Sequence, residues 1–445
     1  DVDKEKRYQI IIGSRASLFL PFSELGLIIV DEEHDGGYKQ REPAPRYNAR
    51  DAAIYLATLH KSKVLLGSAT PSLETYFNTQ IEKYGYVSLN ERYLNTPMPR
   101  IEIANMKEDY INKRNYSIFS SLLYDRIIQT LNNHKQVIIF KNQRGYASNI
   151  RCEVCGWVAK CPNCDVSLTY HKQWNSLNCH YCGLNLPLYS ECPECHSHSL
   201  VQSGNGSEKI EEEILRFFPN ARVKRMDLDT TRKKNDYLEI IQDFEKGNID
   251  ILCGTQIITK GLDFSNVGLV GVIDADSLLY YPDFRAYGRC FDLLTQVAGR
   301  AGRLKEKGAV VIQSFNPNHQ IFKEVLNYDY PSMYKNQIVE RKLFSYPPFV
   351  YLTKILFQSK DKDVLDSLCQ EYSNEIRKIF AQRILGPEYP PIYRVKGMYQ
   401  KQFILKLEKN ISYTQAKKLI MQLNEEILSK KEYKHVRVIV DVDTY

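Results

Sequence analysis

Nowhere does this sequence carry the ~20 consecutive apolar residues of a membrane-crossing helix. Its opening, Asp-Val-Asp-Lys-Glu-Lys-Arg, lacks the apolar core of a signal peptide. No membrane partner is expected. Net charge is also slight: 60 Lys and Arg against 53 Asp and Glu leave +7, which permits a polyanionic partner without demanding one. No Gly-Lys dipeptide occurs, so the Gly-x-x-x-x-Gly-Lys-Ser/Thr loop that cradles nucleotide phosphates is absent from these residues. An initiator Met is absent too, and the chain reads as a piece of something longer. At 445 residues, 43% hydrophobic and 25% charged, it has the length and composition for roughly three globular domains.

Cysteine is not scarce, but its spacing argues against disulfides. Eight of eleven cysteines fall in four Cys-x-x-Cys pairs: Cys152 and Cys155, Cys161 and Cys164, Cys179 and Cys182, Cys192 and Cys195. Each pair forms a tight knuckle that aims two thiolates at one tetrahedral ion, so four knuckles supply two four-cysteine zinc sites per chain. Three groupings of the knuckles are possible from spacing alone. Regular thiolate pairs imply a reducing compartment, and a cytoplasmic protein is expected. Complete thiolate sets leave no open ligand position, so the zinc is structural, and His171, His180, His196 and His198 are expected as ordinary surface residues.

The stretch Leu-Gly-Leu-Ile-Ile-Val at 25–30 reads as a short buried strand, followed at once by Asp31, Glu32, Glu33 and His34. Ligands of open parallel sheets bind beyond the carboxyl ends of strands. There, Asp31 is placed to hold Mg²⁺ and Glu32 to orient water for phosphoryl transfer. A strand is also expected at 8–12, a helix at 50–59 and a strand at 64–66 that ends in Gly67-Ser68-Ala69-Thr70. The loop after the acids mixes Gly, Pro, cations and tyrosines, among them Tyr38 and Lys39, and reads as mobile, basic and able to stack on bases. Residues 76–115 read as a variable connection. Helices near 122–131, 208–218 and 236–245 then alternate with strands near 136–140, 223–226, 249–253, 267–273 and 309–315, the pattern of a mostly parallel, doubly wound sheet. A helix and its exit at 284–303 put Gln296, Arg300 and Arg303 on one face, and arginine's planar fork suits γ-phosphate contact. A helical region at 321–342, broken near Pro331, leads to strands near 351–357, 401–407 and 435–440, with helices near 362–380 and 413–429.

Asp31-Glu-Glu-His34, Gly67-Ser-Ala-Thr70 and Gln296-Val-Ala-Gly-Arg-Ala-Gly-Arg303 occur in the order found in superfamily 2 helicases. With Tyr38-Lys39-Gln40, the eight-cysteine insertion, Gly254-Thr-Gln-Ile-Ile-Thr-Lys-Gly-Leu-Asp-Phe264 and Ile273-Asp-Ala-Asp276, the chain resembles the PriA family of replication-restart helicases from residue 13 onward. The resemblance implies an α/β protein of RecA-like doubly wound helicase lobes, the first one partial, with a small zinc-binding insertion and a C-terminal α+β domain. It divides the chain into a partial first lobe with its connection (1–115), the start of a second lobe (116–150), a two-zinc insertion (151–200), the rest of the second lobe (201–316), a helical linker (317–345) and a C-terminal DNA-binding domain (346–445).

By the same resemblance the outer knuckles share one zinc and the inner knuckles the other. Gly261, Asp263 and Gln296 face the nucleotide, ATP with Mg²⁺. Arg300 and Arg303 join Asp31 and Glu32 in catalysis. Arg15, Tyr38, Lys39, Arg144, Thr255, Arg394 and Lys401 contact nucleic acid. The implied activity is ATP-dependent 3′→5′ unwinding of DNA at stalled forks, with primosome proteins and single-stranded DNA-binding protein as partners. Two departures from the family pattern bear on this. Gln143-Arg144 stands where two arginines are usual, and Gly288 stands where an acid would support Arg289. The competing reading is a non-catalytic, zinc-bearing single-stranded DNA-binding or scaffolding protein. An RNA helicase fits the motor motifs but not the cysteine insertion.

Overall fold

The computed structural model describes residues 8–89, 91, 98–141, 149–171, 174–202, 208–227, 234–255, 264, 266–301 and 308–443. The chain divides into two compact units. One comprises Asp1–Tyr86 with Leu352–Lys354 and Val440–Tyr445, the other Val87–Tyr351 with Ile355–Ile439.

In the first unit, strands Leu27–Val30 and Lys63–Leu66 pair in parallel, Leu27 opposite Lys63 and Val30 opposite Leu66. Helix Ala49–His60 makes the crossover. Asn48 caps it by accepting from the Arg50 N–H, and Ala49, Ala53 and Ala57, four apart, form its buried stripe. Residues 8–12, expected as a strand, form none. Ile10 and Ile12 are exposed, because an apolar run becomes a strand only beside a ladder partner, and among the described residues this sheet holds two strands alone.

Among the described residues the largest sheet of the second unit has six strands in the order Val223–Met226, Ile251–Gly254, Gln136–Lys141, Val267–Ile273, Ala309–Ser314 and Arg100–Asn105. Every pairing is parallel. Helix Ser121–Asn132 lays Leu123 and Ile127 on Val137, Ile139 and Leu269, the centre of the core. The edge strand Arg100–Asn105 corrects the reading of 76–115 as a plain connection. Its alternation of Ile101 and Ile103 with charged neighbours is an edge pattern, and Glu102 is gripped at 3.0 Å by both Nε and Nη2 of Arg126.

Among the described residues the cysteine-rich segment has five short strands in two small sheets, Ile150–Cys152 with Leu200–Gln202, and Thr169–His171, Ser176–Asn178 and Asn185–Pro187. Helices Gln320–Leu326 and Tyr330–Leu343 follow the large sheet. Pro331 sits in the first turn of the second, where its missing N–H costs nothing, and Asp329 caps the Ser332 N–H. The C-terminal sheet runs Ile384–Glu388, Met398–Glu408, Val350–Ser359, Arg437–Val442, with Arg394–Val395 pairing Met398–Glu408 as a hairpin. Helices Lys362–Phe380 and Tyr413–Leu428 complete an α+β domain.

Candidate functional site

Strand Leu27–Val30 ends on buried Val30, and Asp31 and Glu32 follow it into solvent. Glu32 adopts φ 48°, a left-handed turn, and its N–H donates to Asp31 Oδ1 at 3.0 Å. Glu33 goes the other way. Its buried carboxylate accepts from Arg50 Nη1 (3.0 Å), the Ser72 N–H (2.6 Å), Ser72 Oγ (3.1 Å) and Thr75 Oγ1 (2.9 Å), tying the strand end to two helices. His34 Nδ1 lies 2.7 Å from Ser68 Oγ and 3.6 Å from Glu32 Oε2, and the Glu33 N–H donates to Gly67 O at 3.1 Å. The acidic turn and Gly67-Ser68-Ala69-Thr70 are thus one network. Sequence reasoning assigned no role to Glu33, His34, Arg50 or Ser72. An acid and a histidine next to the candidate pair were the only available signal.

The loop beyond the acids is pinned, not open. Tyr38 Oη donates to Asp31 O at 2.6 Å; burial, and then the field of Asp31, Asp35, Glu32 and Glu33, pushes its hydroxyl pKa up. Arg15 Nη1 donates to Gly37 O at 2.9 Å. The expected nucleic-acid contact Lys39 faces inward. Its ammonium, 3% exposed, donates to Val442 O at 2.7 Å and Arg46 O at 3.0 Å and forms an ion pair with Asp441 Oδ1 at 2.9 Å.

In the second unit, Thr255 follows strand Ile251–Gly254 and is buried, its N–H directed at Met226 O (3.4 Å). Gln296, half-buried, occupies the last turn of helix Ala286–Ala298. Arg300 lies past that end, so the single helical face expected for the three motif residues stops at Gln296. Arg144, Gly261, Asp263 and Arg303 lie outside the described residues. The ion pair expected to be missing beside Arg289 is present from another direction: Asp283 Oδ2 lies 2.8 Å from Arg289 Nη1. Burial opposes the Asp283 charge, but Arg289 and Arg285 outweigh it and hold its carboxyl below the usual range.

The eight paired cysteines converge as two sets, Cys152, Cys155, Cys192 and Cys195, and Cys161, Cys164, Cys179 and Cys182. Within each set all four sulfur atoms lie within 4.8 Å of one another, spacing that suits one tetrahedral Zn²⁺. The four knuckles share one geometry. The residue after each second cysteine, Gly156, Asp165, Gly183 or His196, has φ between 51° and 81°. Its N–H donates to the carbonyl of the first cysteine at 2.9–3.0 Å. This left-handed residue closes the turn that aims both thiolates inward. His180 is not the expected surface residue: it is buried, its Nδ1 lies 2.7 Å from Tyr389 O, and burial pushes its pKa down to about 4.

On the C-terminal hairpin, exposed Arg394 lies over the Tyr399 ring at 4.9 Å, and Tyr393 and Tyr399 are near-parallel with centroids 6.4 Å apart. Lys401 is more engaged than expected. Its ammonium meets Asp366 Oδ1 at 2.7 Å, where Tyr389 Oη also donates at 2.6 Å. Among the described residues no helix is long and apolar enough to cross a membrane.

Residues 161–187 match the PriA DNA helicase Cys-rich region domain, 197–305 the helicase conserved C-terminal domain, and 342–445 the primosomal protein N C-terminal domain. The chain is 39% identical over 442 residues to the replication restart protein PriA of Bacillus subtilis, covering 99% of this chain and 54% of that protein. It is 39% identical over 439 residues to PriA of Chlamydia trachomatis, covering 98% and 57%. It is 37% identical over 440 residues to PriA of Rickettsia conorii, covering 99% and 67%. The chain therefore spans between half and two thirds of the length of these relatives, and its cysteine-rich segment holds two zinc-binding sites of four cysteines each.

Proposed function

Because the chain belongs to the PriA family of replication restart proteins, we propose that it forms part of a cytoplasmic, ATP-driven 3′→5′ DNA helicase acting at stalled replication forks. The observation that carries the reading is the coupling of the acidic turn to the Ser68 turn through His34. Asp31, solvent-facing at the carboxyl end of its strand, would hold Mg²⁺, which spreads the charge of the triphosphate. Glu32 orients the attacking water. Its shared contact with His34 gives the Ser68 turn a means of reporting the state of that site. Gln296, Arg300 and Arg303, with Gly261 and Asp263, supply the nucleotide contacts of the second lobe. Arg15, Tyr38, Arg144, Thr255, Arg394 and Lys401 supply those to DNA, forked or single-stranded, and primosome proteins and single-stranded DNA-binding protein are the protein partners.

The exposed Arg394–Tyr399 hairpin favours one competing reading, a zinc-bearing protein that binds single strands without catalysis. The two readings part in a longer polypeptide that contains this chain together with a P-loop. A motor hydrolyses ATP when forked DNA is added, and Glu32→Gln lowers that rate by ~10²–10⁴-fold while DNA affinity holds. Hydrolysis unchanged in Glu32→Gln, or absent from the parent, rules the motor out.

A further inference from the structure

Two zinc sites of identical ligand chemistry sit in different surroundings. A Zn²⁺ ion held by four thiolates carries a net charge of −2, and removing that charge from water is costly unless a cation answers it. The inner set has three buried cysteines, Cys161, Cys164 and Cys179, beside half-buried Cys182, and the outer set two, Cys152 and Cys192, beside half-buried Cys155 and Cys195.

A column of side chains from three other parts of the fold ends on the inner set at Cys164. Tyr346 Oη donates to the Cys164 carbonyl at 2.8 Å. Phe284 stacks on the Tyr346 ring with centroids 4.2 Å apart and planes 4° from parallel. The Lys406 ammonium, from strand Met398–Glu408, lies 3.8 Å from the centroid of the same ring and donates to Phe344 O at 2.7 Å. Tyr346 thus touches both the Lys406 ammonium and the backbone of the Cys164 knuckle.

We propose that Lys406, held against Tyr346, is the charge partner of the inner zinc tetrathiolate, so that this ion and the C-terminal sheet stabilise each other while the outer ion stands apart. The pairing concerns metal retention and does not depend on motor activity. A lone cation on a sheet strand usually points to water; this one is half-buried and takes a carbonyl and an aromatic ring as its neighbours. Charge partners outside the ligand shell of a metal commonly change its affinity by ~10–100-fold.

The test is zinc release from the full 445-residue chain to a chromophoric chelator, with Cys161→Ser and Cys192→Ser identifying the inner and outer ions. Lys406→Met should weaken retention of the inner ion by ~10-fold or more and leave the outer unchanged, and Lys406→Arg should restore it. Should Lys406→Met fail to fold, Lys406→Gln, which keeps a donor for Phe344 O, takes its place under the same criteria. Unchanged retention, equal weakening of both ions, or no rescue by Arg overturns the proposal.

Discussion

Lys39 Nζ and Asp441 Oδ1 are 2.9 Å apart in a pair whose side chains are 3% and 11% exposed, joining the loop beyond the acidic turn to the last strand of the chain. Removing one partner of such a pair leaves the other charge buried alone, typically at ~3–5 kcal/mol. Lys39→Ala should therefore lower the thermal midpoint sharply, and Asp441→Asn should do so too, since both lose the pair. The salt dependence of DNA binding should stay as steep as in the parent, because a lysine without water access contacts no phosphate. A shallower salt slope with an unchanged midpoint would return Lys39 to the role of an open DNA contact.

Glu32 and Glu33 are neighbours with opposite surroundings, and they should fail differently. Glu33→Gln keeps the shape but weakens four charge-assisted contacts, at a cost of ~1–3 kcal/mol in stability. Glu32→Gln, exposed at the turn, should leave the unfolding midpoint within about a degree of the parent, as surface changes usually do. Paired denaturation curves check this. A larger loss for Glu32→Gln would mean that the turn, not the chemistry, depends on Glu32.

What the sequence could tell followed from how local each determinant is. Knuckles close within five residues, so Cys-x-x-Cys announced them; which knuckles share an ion depends on tertiary folding and came only from the family resemblance. Parallel strands such as Val267–Ile273 are buried on both faces and read as unbroken apolar runs. The edge strand Arg100–Asn105 alternates with charge and escaped notice. Residues 8–12 misled in the opposite sense, being apolar without a ladder partner. Partners far along the chain were invisible: Asp441 is on the last strand while Lys39 is near the start, and Asp283 replaces the absent acid at 288 from outside the helix. Charge composition marked Lys39 and Lys401 as cations but could not say that carboxylates already hold them.

Asp283 makes the acid limb of stability testable. Its carboxyl is held below the usual range by Arg289 and Arg285 against the cost of burial. The sign follows from linkage: a depressed carboxyl contributes its stability above its unfolded pKa, near ~3.9, and loses it as pH falls through the lower folded value. Parent protein should lose this contribution only in strong acid. Asp283→Asn should be less stable at neutral pH, and its deficit should shrink as pH drops below about 4. Urea midpoints from about pH 3 to about pH 7 measure it, and a deficit constant over that range would show that Asp283 acts by packing alone.

The strongest constraint on activity is the missing phosphate cradle. In-line phosphoryl transfer needs the nucleotide held, Mg²⁺ bridging its phosphates and charge stabilised from both sides. On the proposed reading Asp31, Glu32, Arg300 and Arg303 would offer parts of that arrangement, but no Gly-Lys pair occurs in these residues to fix the β- and γ-phosphates. The isolated 445 residues should therefore show no DNA-stimulated ATP hydrolysis, whether or not the proposed Arg394–Tyr399 hairpin contact binds single strands. Joined to a segment that carries a P-loop, the same residues should turn over, and Arg303→Ala in that longer polypeptide should abolish turnover while zinc content stays at two ions per chain. Phosphate release, followed with and without forked DNA, decides the matter. Robust hydrolysis by the isolated chain, lost on Glu32→Gln, would place a complete nucleotide site within these residues and overturn the half-site reading.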